Sequence, residues 1–125
     1  MKILGNLVWL LFGGIIIAIE YIIGSLILMV TIVGIPFGLQ TLKMGFLALW
    51  PFGRDTRVQA RASGCLYIIM NLLWLFCGGI WIALTHALFG LLLMITIIGI
   101  PFGMQHFKLS LIALNPFGRD IIWLR

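Results

Sequence analysis

Residues 31–40 read TIVGIPFGLQ and residues 96–105 read TIIGIPFGMQ. Each sets a proline between two glycines directly after a long apolar run, and these residue types are the least suited to continuing a helix. A break made twice in nearly the same words predicts a duplicated unit. Shifting the chain by 65 lays residues 6–55 on 71–120 without a gap, and 28 of the 50 positions are identical. Asn6-Leu7-x-Trp9 meets Asn71-Leu72-x-Trp74, Gly13-Gly14 meets Gly78-Gly79, and PFGRD closes both units at 51–55 and 116–120. Apolar drift could match Leu with Ile, but it would not align Asn, Trp, Pro, Gln, Lys, Arg and Asp in register. The units are 3–55 and 65–120, joined by a polar linker at 56–64.

Of the 125 residues, 63% are hydrophobic and 9% charged, and the mean hydropathy is +1.24. A soluble domain carries about 25% charge. The apolar blocks 3–50 and 65–114 show no sustained polar face, so lipid is the expected solvent. Residues 3–19 could pass for a signal peptide. No small-x-small cleavage site follows, and the segment recurs in mid-chain, so it reads as a retained span. Cys65 and Cys77 fall in one expected helix, roughly 18 Å apart at 1.5 Å per residue, which is too far to bridge.

A crossing helix needs about 20 residues, and 3–35 is long for one and short for two. A Glu at the bilayer centre costs at least ~2.5 kcal/mol. Glu20-Tyr21 and its counterpart Thr85-His86 therefore predict a turn at the far interface. The expected unit is a helix over 3–19, a turn near 20–25 and a return helix over 22–35, repeated at 66–84 and 87–100. Lys2, Arg54, Arg57, Arg61, Arg119 and Arg125 flank the units, whereas the expected far turns carry no Lys or Arg. Positive residues favour the cytoplasmic side. Both termini are thus expected there, with the units parallel rather than inverted. Gly34, Pro36 and Gly38, with Gly99, Pro101 and Gly103, then end the return helices at the cytoplasmic face and serve as hinges. Segments 37–50 and 102–115, too short to cross, read as interfacial helices. A rival reading joins 26–50 into one kinked crossing.

The fold class expected is all-α integral membrane: two tandem parallel hairpin repeats, each with a Pro/Gly-broken interfacial helix. The strings N-L-x-W-x-x-x-G-G, T-I-x-G-I-P-F-G-x-Q and P-F-G-R-D, each present twice, resemble the YccF-like family of bacterial inner-membrane proteins. The resemblance covers nearly the whole chain. It implies a multi-pass protein of the bacterial inner membrane and implies no catalytic residue or substrate.

The chain shows no P-loop, H-E-x-x-H, G-x-S-x-G or paired-cysteine metal motif. No enzyme, cofactor or metal site is expected. Asp55 and Asp120 read as caps or local ion pairs. His86 and His106 are expected at opposite interfaces, which disfavours a haem. The net charge of +5 borders membrane spans, so it fits anionic lipid better than nucleic acid. Polar side chains kept in both units are Asn6/Asn71, Thr31/Thr96, Gln40/Gln105 and Lys43/Lys108. Helix-to-helix hydrogen bonding and snorkelling lysines explain them blandly. The sharper expectation is a polar path at the centre of a homo-oligomer, an ion channel or pore-like transport component whose lysines favour an inorganic anion. The alternative is a non-conducting scaffold or accessory subunit, docking through Gly13-Gly14 and Gly78-Gly79.

Overall fold

The computed structural model describes residues 2–58, 65–117 and 119–123. Helix α1 (Lys2–Trp9) runs through a wide turn at Leu10–Gly14 into α2 (Ile15–Leu28), and α3 (Gly34–Leu49) returns along it. Strand β1 (Arg54–Val58) follows. The second unit repeats the order with α4 (Cys65–Trp74), a wide turn at Leu75–Gly79, α5 (Ile80–Ile95), α6 (Ile100–Leu114) and β2 (Arg119–Trp123). The stretches Ile3–Leu28 and Cys65–Ile95, with mean hydropathy 2.3 and 2.0, are long and apolar enough to cross a membrane. In lipid the backbone must satisfy itself, which makes a helix the favoured form for such runs.

The turn expected at 20–25 is absent. Glu20 and Tyr21 lie inside α2, and Thr85 and His86 inside α5. Tertiary partners remove the reason for the turn. Thr85 Oγ1 donates to Glu20 Oε2 at 3.0 Å, and the rings of Tyr21 and Trp74 stack at 5.9 Å. The chain reverses about ten residues later, between Leu28 and Gly34. There the Thr31 hydroxyl donates to the Leu28 carbonyl (3.2 Å) and accepts the Gly34 N–H (3.1 Å). Thr96 does the same for Leu93 and Gly99. GIPFG therefore opens a helix rather than ending one. Pro36 and Pro101 occupy a first turn, where a missing N–H costs nothing. The segments expected to be interfacial, 37–50 and 102–115, belong to α3 and α6, packed along α2 and α5. A kinked crossing over 26–50 is likewise replaced by this reversal.

Two contacts show how the units meet. Gly24 sits against the Cys77 carbonyl and Gly13 against the Phe89 ring. As one long helix rises, the other descends. Other inter-unit contacts include reciprocal pairs 65 residues apart. Phe37 meets Phe117 edge-on at 5.0 Å, and Phe102 meets Phe52 at 5.4 Å. Glu20 and Thr85, which are equivalent positions, touch each other. The units are thus related by an approximate twofold axis perpendicular to the long helices. They are inverted, not parallel. The charge pattern misleads because its arginines do not mark an end of the bundle, as the ribbon shows.

That ribbon is the departure from an all-α fold. β1 and β2 pair antiparallel, with Arg54 opposite Trp123, Thr56 opposite Ile121 and Val58 opposite Arg119. The strands carry the chain past the expected unit ends at 55 and 120. The rest of the expected linker, 59–64, lies outside the described residues. The Thr56–Ile121 pair is centred on the pseudo-twofold axis, so the ribbon lies across the waist of the bundle.

The core is built from each unit's tryptophan. Trp9 and Trp74 are fully buried and donate their indole N–H to the carbonyls of Ala48 (2.6 Å) and Ala113 (2.8 Å). The symmetry fails in the backbone at the Gly-Gly turn. Phe12 (ψ 41°) and Gly13 (φ 116°) leave the helix, a conformation that glycine tolerates. Their counterparts Cys77 and Gly78 do not.

Candidate functional site: the polar waist

Lys43 and Lys108 stand near the middles of α3 and α6. They reach across to the other unit's strand: Lys43 Nζ to Asp120 Oδ1 at 3.8 Å, and Lys108 Nζ to Asp55 Oδ2 at 2.9 Å. Gln40 Nε2 donates to the carbonyls of Pro116 (3.1 Å) and Arg119 (2.6 Å). Arg119 donates from Nε to the Asn115 carbonyl and from Nη1 to Thr56 Oγ1. Among the described residues the ribbon and the helices beside it gather five basic side chains (Lys43, Lys108, Arg54, Arg57 and Arg119) against two carboxylates (Asp55 and Asp120), while Glu20 stands on the same axis between the long helices. The tips and outer faces of the long helices are bare aliphatics, with Ile32 and Ile97 both 86% exposed.

Burial would raise the Asp55 carboxyl. The Lys108 ammonium, the Thr56 N–H and the Arg119 charge outweigh it and hold the group below its ordinary value. A carboxylate with a depressed folded pKa stabilises above its unfolded value and loses that contribution as pH falls through the folded one. Acidification below about pH 4, the ordinary Asp range, is therefore expected to loosen the ribbon. Amide exchange in β1 and β2 checks this: protection falls on acidification in the wild type, and Asp55→Asn shows a smaller fall.

The other path candidates divide. Asn6 is fully buried and closes the turn before β1, accepting the Phe52 N–H (2.9 Å) and donating to the Phe52 carbonyl (3.0 Å). Asn71, its counterpart, has a buried Oδ1 with no partner among the described residues. Thr31 and Thr96 cap the tips, away from the waist. Gln105 is half-buried on α6, one turn before Lys108. The glycines Gly34, Gly38, Gly99 and Gly103 are buried at close contacts, Gly34 against the Leu28 carbonyl and Gly38 against Met29. Gly14 and Gly79 seat the indoles of Trp9 and Trp74, and Gly13 and Gly78 are buried with them. None of these four is open to a partner.

Sequence reasoning placed the histidines apart, and the structure brings them together. His86 and His106 meet Nδ1 to Nδ1 at 2.9 Å, and His106 stacks on Trp9 at 4.0 Å. His106 Nε2 donates to the Phe12 carbonyl (2.9 Å), at the break in the first unit's helix. For neutral rings this fixes the tautomers: His106 Nδ1 accepts from His86 Nδ1, which leaves His86 Nε2 bare, buried and without a partner among the described residues. Rings in such direct contact leave no room for a haem iron between them. The missed signal for the waist is that Lys and Asp recur in both units while Glu20 does not, as expected of a reciprocal pair that crosses between units.

The comparisons place the sequence in a family. The sequence profile of YccF, described as an inner membrane component domain, matches residues 4–54 and 69–119. Inner membrane protein YccF of Escherichia coli (strain K12) is 28% identical over 133 residues, covering 98% of this chain and 88% of the relative. The same protein of Shigella flexneri matches to the same extent. No solved structure matches significantly. With one profile match in each unit, the chain belongs to the YccF inner membrane component family and carries its domain twice.

Proposed function

We propose that the chain is the subunit of a homo-oligomeric inner-membrane pore whose path is lined by the waists of neighbouring copies. In this reading the two long helices cross the bilayer, the tips approach opposite faces and the ribbon lies at mid-depth. The waist carries the proposal. A charged side chain facing acyl chains at that depth costs about 2.5–3.5 kcal/mol on insertion scales. Water shared between copies removes most of that cost. Five bases against two acids favour anions.

In this reading Lys43 and Lys108 stand at the narrow middle of the path. In planar bilayers the purified protein is expected to give discrete conductance with a reversal potential on the anion side. Lys43→Glu with Lys108→Glu is expected to move that potential toward cations. An unchanged potential rejects the waist as the path. A monomer by native mass spectrometry in mild detergent rejects the oligomer.

A scaffold docking through Gly13-Gly14 and Gly78-Gly79 is the less favoured reading, because the chain's own side chains crowd those positions: His106 and Phe89 at Gly13, Trp9 at Gly14, and Trp74 at Gly78 and Gly79.

A further inference from the structure

The pseudo-twofold axis generates two clefts, one where each helix tip leans on the start of the other unit. The first is lined by Leu4, Gly5 and Val8 of α1, Phe52 of the turn before β1, and Pro101 and Phe102 of α6. The second lies between Val33 and Gly34 on one side and Met70, Leu73 and Cys77 on the other. Equivalent positions face each other across the axis: Gly5 corresponds to Met70, Val8 to Leu73 and Ile98 to Val33. The clefts are not equal. The first holds about 570 Å³ and the second about 380 Å³.

The linings differ at several positions, and one of them is Gly5 against Met70. Met70 buries its side chain to 4% exposure in the second unit, whereas glycine leaves that volume open in the first. A Cβ built on Gly5 meets only the Phe52 ring, at an ordinary 3.5 Å. No packing constraint therefore demands glycine here. The walls are aliphatic and aromatic, so water finds too few hydrogen-bond partners to fill the space. The rim is continuous with surface that faces hydrocarbon in this family's membrane, with Leu4 60% and Ile98 87% exposed.

We propose that the first cleft is a binding site for a phospholipid acyl chain, which packs where the second unit packs its own Met70. This stands apart from conduction, since the cleft lies at a tip and not on the waist. An acyl chain held there bridges α1 of the first unit to the tip of the second. It would be retained when the surrounding lipid exchanges.

The test uses the full chain reconstituted with a phospholipid bearing a photoactivatable diazirine on its acyl chain, the adducts being mapped by mass spectrometry. Labelling is expected to be several-fold higher on the peptides containing Leu4–Val8 and Ile98–Phe102 than on those containing Val33 and Met70–Cys77. Gly5→Met is expected to bring the first cleft down to the level of the second and leave labelling of the outer faces of α2 and α5 unchanged. Equal labelling of the two clefts in the wild type overturns the site, as does a Gly5→Met protein labelled like the wild type. Should Gly5→Met fail to fold, the wild-type ratio decides alone.

Discussion

Gly34→Ala and Gly99→Ala are each expected to abolish the folded hairpin or to cost upward of about 3 kcal/mol, the top of the overpacking range. A Cβ at either position lands on a carbonyl in the last turn of the preceding helix, that of Leu28 or Leu93, and on the capping hydroxyl of Thr31 or Thr96. Neither neighbour can yield. The carbonyl belongs to a helix end, and the hydroxyl holds the turn by two hydrogen bonds. Reversible unfolding in mixed micelles measures the loss. A change within about 0.5 kcal/mol, the ordinary range for surface positions, would show that the tip is looser than this geometry. Pro36→Ala serves as the control, because its ring is exposed and its missing N–H lies in a first turn.

The second large effect is Trp74→Ala, expected to destabilise by about 3–5 kcal/mol through the cavity it leaves. Trp74 is fully buried, stacks with Tyr21 and presses on Gly24 of the other unit. It is therefore both the second unit's core and part of the seam between units. Trp74→Phe keeps most of the ring and strips the donor from the Ala113 carbonyl, at about 1–3 kcal/mol for an unsatisfied buried acceptor. The same micelle unfolding assay separates the two. A Phe variant as damaged as the Ala variant would put the energy in the hydrogen bond rather than in the packing.

The membrane setting was readable from the apolar blocks 3–50 and 65–114, and the repeat from residues such as 31–40 and 96–105, because identities in polar and Gly/Pro positions survive where apolar ones blur. The hairpin was readable as a kind, but its turn was misplaced. Glu20-Tyr21 looks like an interface when only its own helix is considered, and the partners that bury it, Thr85 and Trp74, lie more than fifty residues away. The break at Gly13 was not readable. Both units carry Gly-Gly, yet only the first breaks, where the donor to the Phe12 carbonyl is His106 and its counterpart in the first unit is Thr41. Lys43 and Lys108 stand out in the sequence as an equivalent pair. Their partners Asp55 and Asp120 were assigned to local turns, since the pairing runs through a two-stranded ribbon that hydropathy does not reveal.

The inverted relation of the units bears on how the chain enters the bilayer. In the proposed reading, bases clustered on the axis stand equally far from both surfaces, so they give the insertion machinery no sign of which end leads. Turned end over end, such a molecule offers the lipid nearly the same set of charges.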